Sequence, residues 1–184
     1  MNILKKTILS FSLFFLSACG TEAGIDPNRG FDMWDYMTSA SSYEVEYDVY
    51  ENNLKTDFYI ETHRQFGTQY ERQSSFGLTT LLLNSSQILM NEPNGSTNII
   101  RFLQLSDKGI FQSPSIQLCS LERFYDTYQN KNSIFHNVIQ VACTLKSGTY
   151  QEFYYGYNEG IVSIYENNNG LITEYVKVSE KAIF

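Results

Sequence analysis

From Tyr43 onward, large and polar side chains alternate along the chain. Tyr43, Val45, Tyr47 and Val49 are separated by Glu44, Glu46 and Asp48, so a strand here has one apolar and one acidic face. Asn52-Asn53 offers a turn, and the next run to His63 carries Phe58, Ile60 and Thr62 on one side. Alternation resumes from Phe66 to Arg72 through Thr68 and Tyr70. Leu78 to Leu83 and Gln87 to Met90 are more continuously apolar, broken by Asn84-Ser85-Ser86, and Thr97 to Leu105 reads as a further strand. Between Ser113-Pro114 and Asn130 the period changes. Leu118, Leu121, Tyr125 and Tyr128 follow three-four-three spacing after a Ser-Pro start, which predicts one amphipathic helix at about 115–129. The tail returns to period two, with Phe135, Ile139, Val141, Cys143 and Leu145 on one face and turns at Ser147-Gly148 and Asn158-Glu159-Gly160. The expected fold is mainly β: an antiparallel meander sheet or half-open β-barrel with one amphipathic helix packed on it.

Upstream of the meander the pattern is of another kind. Residues 20–30 hold turn formers and little to bury, and Phe31, Met33, Trp34, Tyr36 and Met37 then crowd five large apolar groups together. Asp32 or Asp35 is placed to cap a short helical turn there. Such a turn either plugs one end of the core or presents Phe31, Trp34 and Tyr36 as a partner-binding patch. At the N-terminus, Lys5 and Lys6 precede an apolar run from Thr7 to Leu16, too short to cross a bilayer. That is the shape of an export signal. Its ending, Leu16-Ser17-Ala18-Cys19, resembles the lipobox of bacterial lipoproteins. The resemblance implies cleavage before Cys19, diacylglycerol on its sulfur and a further acyl chain such as palmitate on its new amino group. A plain secretory signal and an uncleaved anchor are the rival readings. The implied organisation is a signal peptide at 1–18, a flexible tether at 19–30 and one β-rich domain at 31–184. Gly20, rather than Asp, after the lipidated cysteine implies the outer membrane if the host is a diderm.

Charge narrows the partners. The chain carries 13 Lys and Arg against 20 Asp and Glu, and losing Lys5 and Lys6 with the signal takes the formal charge from −7 to −9. Nucleic acid is therefore excluded as a partner, since it is held by cations that neutralise phosphates. Attachment to a membrane falls to the acyl chains on Cys19. With Cys19 lipidated, Cys119 and Cys143 remain, either as a disulfide in an oxidising compartment or as two buried thiols.

Candidate chemistry is sparse. Glu44, Glu46 and Asp48 share a strand face that either is simply solvated or holds a calcium ion or an acid/base pair. His63 and His136 lie in expected strands without a motif, and GxSxG, HExxH, EF-hand and Gly-rich phosphate loops are absent from the sequence. No metal or cofactor is expected. Tyrosine and phenylalanine, 14 and 13 in number, suit cross-strand core pairs or a ligand groove. The function these features imply is a non-enzymatic, lipid-anchored envelope module that binds an envelope protein or carries an apolar ligand. The alternative is a periplasmic glycan or cell-wall hydrolase working through Asp and Glu.

Overall fold

The structure, a computed structural model, describes residues 21–22, 29–39, 42–75 and 77–183. The expected signal peptide and Cys19 lie outside these residues. The alternating runs fold as strands, in chain order β1 (Thr21–Glu22), β2 (Gly30–Asp32), then helix α1 (Met33–Met37), β3 (Tyr43–Glu51), β4 (Leu54–Phe66) and β5 (Gln69–Ser74). There follow β6 (Gly77–Leu83), β7 (Gln87–Glu92), β8 (Gly95–Ile100), β9 (Phe102–Gln104) and β10 (Phe111–Gln112). The long C-terminal ribbons are β11 (Ile116–Gln129), β12 (Ile134–Leu145), β13 (Tyr150–Gly156), β14 (Gly160–Asn168) and β15 (Leu171–Ala182).

All pairings in the main sheet are antiparallel, in the order β1-β11-β12-β13-β14-β15-β3-β4-β5-β6-β7-β8-β10. The sheet then curls until its ends nearly meet. Residues 107–110 stitch the seam: the Leu121 amide donates to the Asp107 carbonyl at 2.9 Å, the Gly109 amide to Cys119 at 2.8 Å, and the Ile100 amide to Ile110 at 2.9 Å. The result is a nearly closed antiparallel barrel with one short helix. At the β3–β4 turn, Asn52 and Asn53 both take positive φ, of 47° and 69°, the backbone that lets a two-residue hairpin follow the strand twist.

The helix expected at 115–129 is instead β11, a 14-residue strand. Its register with β12 shifts between Ile116 and Leu118 and again between Leu121 and Arg123. Each irregularity shifts the two-residue alternation out of step, so Leu118, Leu121, Tyr125 and Tyr128 mimic a helical period. Ser113-Pro114 starts a turn, not a helix: Pro114 sits second in a turn closed by the Ile116 amide and the Ser113 carbonyl at 3.3 Å.

The helix that does form is α1. Asp32 caps it, accepting from the Trp34 amide at 3.0 Å, and Arg101 clamps the same carboxylate at 2.6–3.0 Å. Met33, Trp34, Tyr36 and Met37 are buried, closing one end of the barrel beside the β13–β14 turn, where the Asn158 amide reaches the Asp35 carbonyl at 2.6 Å. The main core inside the barrel runs from these residues through Tyr47, Leu81, Ile88, Ile99, Leu121, Phe124, Ile139 and Val141. A second, smaller cluster of Tyr125, Tyr128, Phe135, Val138 and Val162 forms where the far part of the β11–β12 hairpin leaves the barrel wall. There Asn130 inserts its side-chain amide between strands, donating to the carbonyls of Val162 at 3.1 Å and Lys177 at 3.2 Å.

Candidate functional site

The concentration of buried ionisable groups lies on the inward face of β4 and β5. Strand parity places it there: Tyr59, Glu61, His63 and Gln65 alternate with Phe58, Ile60, Thr62 and Arg64, and the hairpin register sets His63 opposite Arg72 and Gln65 opposite Tyr70. His63 Nε2 lies 2.9 Å from Glu61 Oε2, and Nδ1 lies 2.7 Å from the Tyr70 hydroxyl. Tyr43 stacks on the imidazole, with ring centroids 4.6 Å apart.

The protonation pattern follows from the partners. Burial pushes His63 down, and the positive charges of Arg72 and Lys177 add to that, outweighing the pull of Glu61. For Glu61 burial acts upward, but the hydrogen bond from His63 and the charge of Arg72 prevail and hold its carboxyl below the ordinary value. Burial pushes Tyr70 up to about 12. Glu61 is therefore an acceptor only, neutral His63 carries its proton on Nε2, and Nδ1 accepts from Tyr70. Arg72 is enclosed by Glu61, Tyr155, Tyr47 and Tyr70; burial alone would disfavour its charge, and these neighbours raise its pKa instead.

A hydroxyl-imidazole-carboxylate chain has the order of a nucleophilic triad. Here the hydroxyl is fully buried and its pKa is raised, whereas a nucleophile has to be exposed and activated. Tyr70, His63 and Glu61 are hydrogen-bonded in a row inside the barrel, while Gln65 Oε1 and Arg72 Nε on the same face are buried without a hydrogen-bond partner. Sequence reading missed it by pairing Phe58, Ile60 and Thr62 as a face without asking what the alternate face, Tyr59-Glu61-His63, would meet. The signal was present: Tyr70 and Arg72 are two apart, across a short turn from that face.

The other expected residues fall as follows. Cys119 and Cys143 are joined in a disulfide, directly opposite one another on β11 and β12 with Cα atoms 4.1 Å apart. Phe31, Trp34 and Tyr36 are all buried in the main core, with Phe31 packed on the Phe124 ring at 5.6 Å. Their apolar surface goes to the barrel plug, so they do not form an exposed patch. Glu44 is exposed and Asp48 is buried in an ion pair with Lys55 at 2.5 Å. Among the described residues no three His, Cys, Asp or Glu side chains gather as a metal site. His136 is exposed.

Two grooves stand out among the described residues. A groove of about 400 Å³ runs between Ile134–Asn137 of β12 and Lys177–Glu180 of β15. At its floor the buried Lys177 ammonium is held by Glu159 at 2.7 Å and Glu180 at 2.9 Å. A shallower groove of about 170 Å³ lies on the outer face of β4–β6, lined by Thr62, Arg64, Glu71, Gln73 and Leu78.

No protein-family model matches the chain, and no curated protein matches it. Among solved structures it is similar to a protein of Bacteroides fragilis NCTC 9343 described as exported, with a YmcC-like fold. That match has 11% identity and a TM-score of 0.47, covering 79% of this chain and 98% of the other. A protein of Parabacteroides distasonis ATCC 8503 described as a lipoprotein matches at 9% identity with a TM-score of 0.48, covering 79% and 97%.

Proposed function

We propose that this protein is a non-enzymatic, lipid-anchored envelope lipoprotein that binds another envelope protein through the outer face of β4–β6. The observation that carries the reading is the inversion of β4. This strand buries Glu61 and His63 and turns its apolar residues outward, leaving Phe58 56% and Phe66 58% exposed with Ile60 between them. Leu78 on β6 adds a fourth exposed apolar group beside the shallow groove. A strand that solvates its phenylalanines while enclosing a charged network has its apolar side available for a partner. The lipobox ending at Cys19 supplies the anchor.

The interior supports binding at the surface over carriage of an apolar ligand inside. Tyr47, Tyr70, Phe124, Leu81, Ile88, Ile99, Leu121 and Ile139 fill it with fully buried side chains. The hydrolase reading calls for two carboxylates in a cleft, one raised in pKa by an apolar setting. Asp35 is raised, by partial burial and by Asp32, but Asp32 is committed to Arg101 and the helix cap. That arrangement favours a structural role.

A photo-activated cross-linker placed at Phe66 in intact envelopes tests the reading. It should trap a discrete protein, and Phe58→Ser with Ile60→Ser should abolish the adduct while the circular dichroism spectrum is unchanged. An adduct pattern identical to that from Leu118, exposed on β11, would overturn it.

A further inference from the structure

The barrel wall has a gap between β12 and β15, where the β13–β14 hairpin that separates them turns back early. β12 pairs with β13 only from Val138 onward, with the Tyr157 amide adding one bond to the Asn137 carbonyl at 3.1 Å. β14 pairs with β15 only as far as Ser163 opposite Val176. From Lys177 to Ala182, among the described residues, β15 is therefore paired on one side alone, by β3. Alternation fixes which of its backbone groups face the gap. The Ile183 amide donates to the Ser42 carbonyl at 3.2 Å, in register with the β3–β15 ladder. Glu180 and Ala182, out of phase with Ile183, turn their N–H and C=O groups away from β3 and into the gap.

The gap is the groove of about 400 Å³, within the size range of ligand clefts. Its lining is uneven in charge. The register shift between Lys177 and Ser179 brings Glu180 onto the same face as Lys177, so the carboxylates of Glu180 and Glu159 converge on one ammonium. That ammonium is buried, whereas Glu180 is 51% and Glu159 40% exposed. Two carboxylates against one cation leave the groove net negative. Lys181 does not offset this, since it lies on the opposite face, across from Glu44. The rim adds two exposed apolar groups, Ile134 and Tyr157.

We infer that this gap receives an extended segment of a partner protein, which adds a strand to the free edge of β15. The segment sets a basic side chain against Glu159 and Glu180 and a large apolar one, two positions away, against Ile134 and Tyr157. Main-chain hydrogen bonds to Glu180 and Ala182 give such a strand its affinity, and the alternate side chains give it selectivity. An acidic segment meets like charge instead. The chain's own net charge of −7 argues against a second copy as the occupant. The gap lies on other strands than the β4–β6 face, so the inference stands independently of that reading.

The probe is a capped hexapeptide, Thr-Val-Thr-Lys-Thr-Val, titrated into the full-length protein in non-ionic detergent and followed by amide NMR. The amides of Glu180 and Ala182 should shift and become protected from hydrogen exchange. Replacing the peptide's Lys by Glu should weaken binding roughly fivefold, the scale of one exposed ion pair. N-methylation of alternate peptide amides should abolish binding, and this arm needs no change to the protein. Glu180→Gln should narrow the difference between the Lys and Glu peptides while the rest of the spectrum is unchanged. Absence of binding, equal binding of the methylated peptide, or equal binding of the Lys and Glu peptides overturns the inference. Protection at Arg64 and Gln73 in place of Glu180 and Ala182 overturns it too, and places the peptide on the β4–β6 face.

Discussion

The two walls of the barrel are built from opposite materials. On β11 and β12 the inward side chains are Cys119, Leu121, Phe124, Ile139, Val141 and Cys143, all buried and apolar, and the wall is cross-linked by the disulfide. On β3, β4 and β5 they are Tyr47, Tyr59, Glu61, His63, Tyr70 and Arg72, and the wall is held by directed hydrogen bonds and charge. The apolar wall gains stability in proportion to area removed from water, whichever way its side chains interlock. Each group of the polar wall has to find a particular partner, so that wall contributes less net free energy and more geometric selectivity. Burying a charged network beneath β4 is also what leaves its phenylalanines outside.

The contrast can be broken most forcefully at Phe124. Phe124→Ala should lower the unfolding free energy by about 3–5 kcal/mol, read by urea denaturation, because a fully buried ring leaves a cavity. A loss no larger than that of Tyr70→Phe would show that the apolar wall does not dominate. Tyr70→Phe removes only the hydroxyl on His63 and should cost about 1–2 kcal/mol. Next comes the cross-link. Cys119 and Cys143 lie 24 positions apart, and reducing their bond should cost about 3.5 kcal/mol on chain-entropy grounds, less if the unfolded chain keeps structure. The check is a fall in melting temperature with reductant, together with thiols that resist alkylation until it is added.

The smallest effect is in pH. His63 is held below its ordinary value of 6.5 and Glu61 below 4.5, so the folded chain takes up protons less readily than the unfolded one at both sites. Their contribution to stability is full above pH 6.5 and is lost as pH falls, first through His63 and then through Glu61. His63→Gln should flatten the stability profile between neutral pH and about 5 while leaving the more acidic limb. An unchanged slope in that interval would mean that some other group senses the acid.

Much of the frame was readable from alternation. Tyr43, Val45 and Tyr47 point inward as their spacing indicates, and Ile139, Val141 and Cys143 share one face. Asp32 and the aromatic run beside it announced the plug. What alternation could not carry was β11, because a β-bulge rewrites parity without leaving a mark in composition. The aromatic and β-branched content of β11 (Phe124, Tyr125, Thr127, Tyr128) argued for strand, and spacing was given more weight than it merited there. The polar wall was hidden for a different reason. Inward burial of Glu61 and Arg72 contradicts the rule that charges face water, and it becomes sensible only once the β4–β5 register is known to set their opposite charges on one face.

The sheet order also has a consequence in time. Ribbons β4 to β8 and β11 to β15 join neighbours in sequence, and each can pair as soon as its own turn has been made. The junction of β3 with β15 is different, since Val49 must wait for Tyr175. Until that late strand is synthesised, one edge of β3 is an open template. Its outward Glu44 and Glu46 then act as a guard, repelling like-charged strands during the interval before the barrel has its last stave, while Asp48 is already paired with Lys55 of β4.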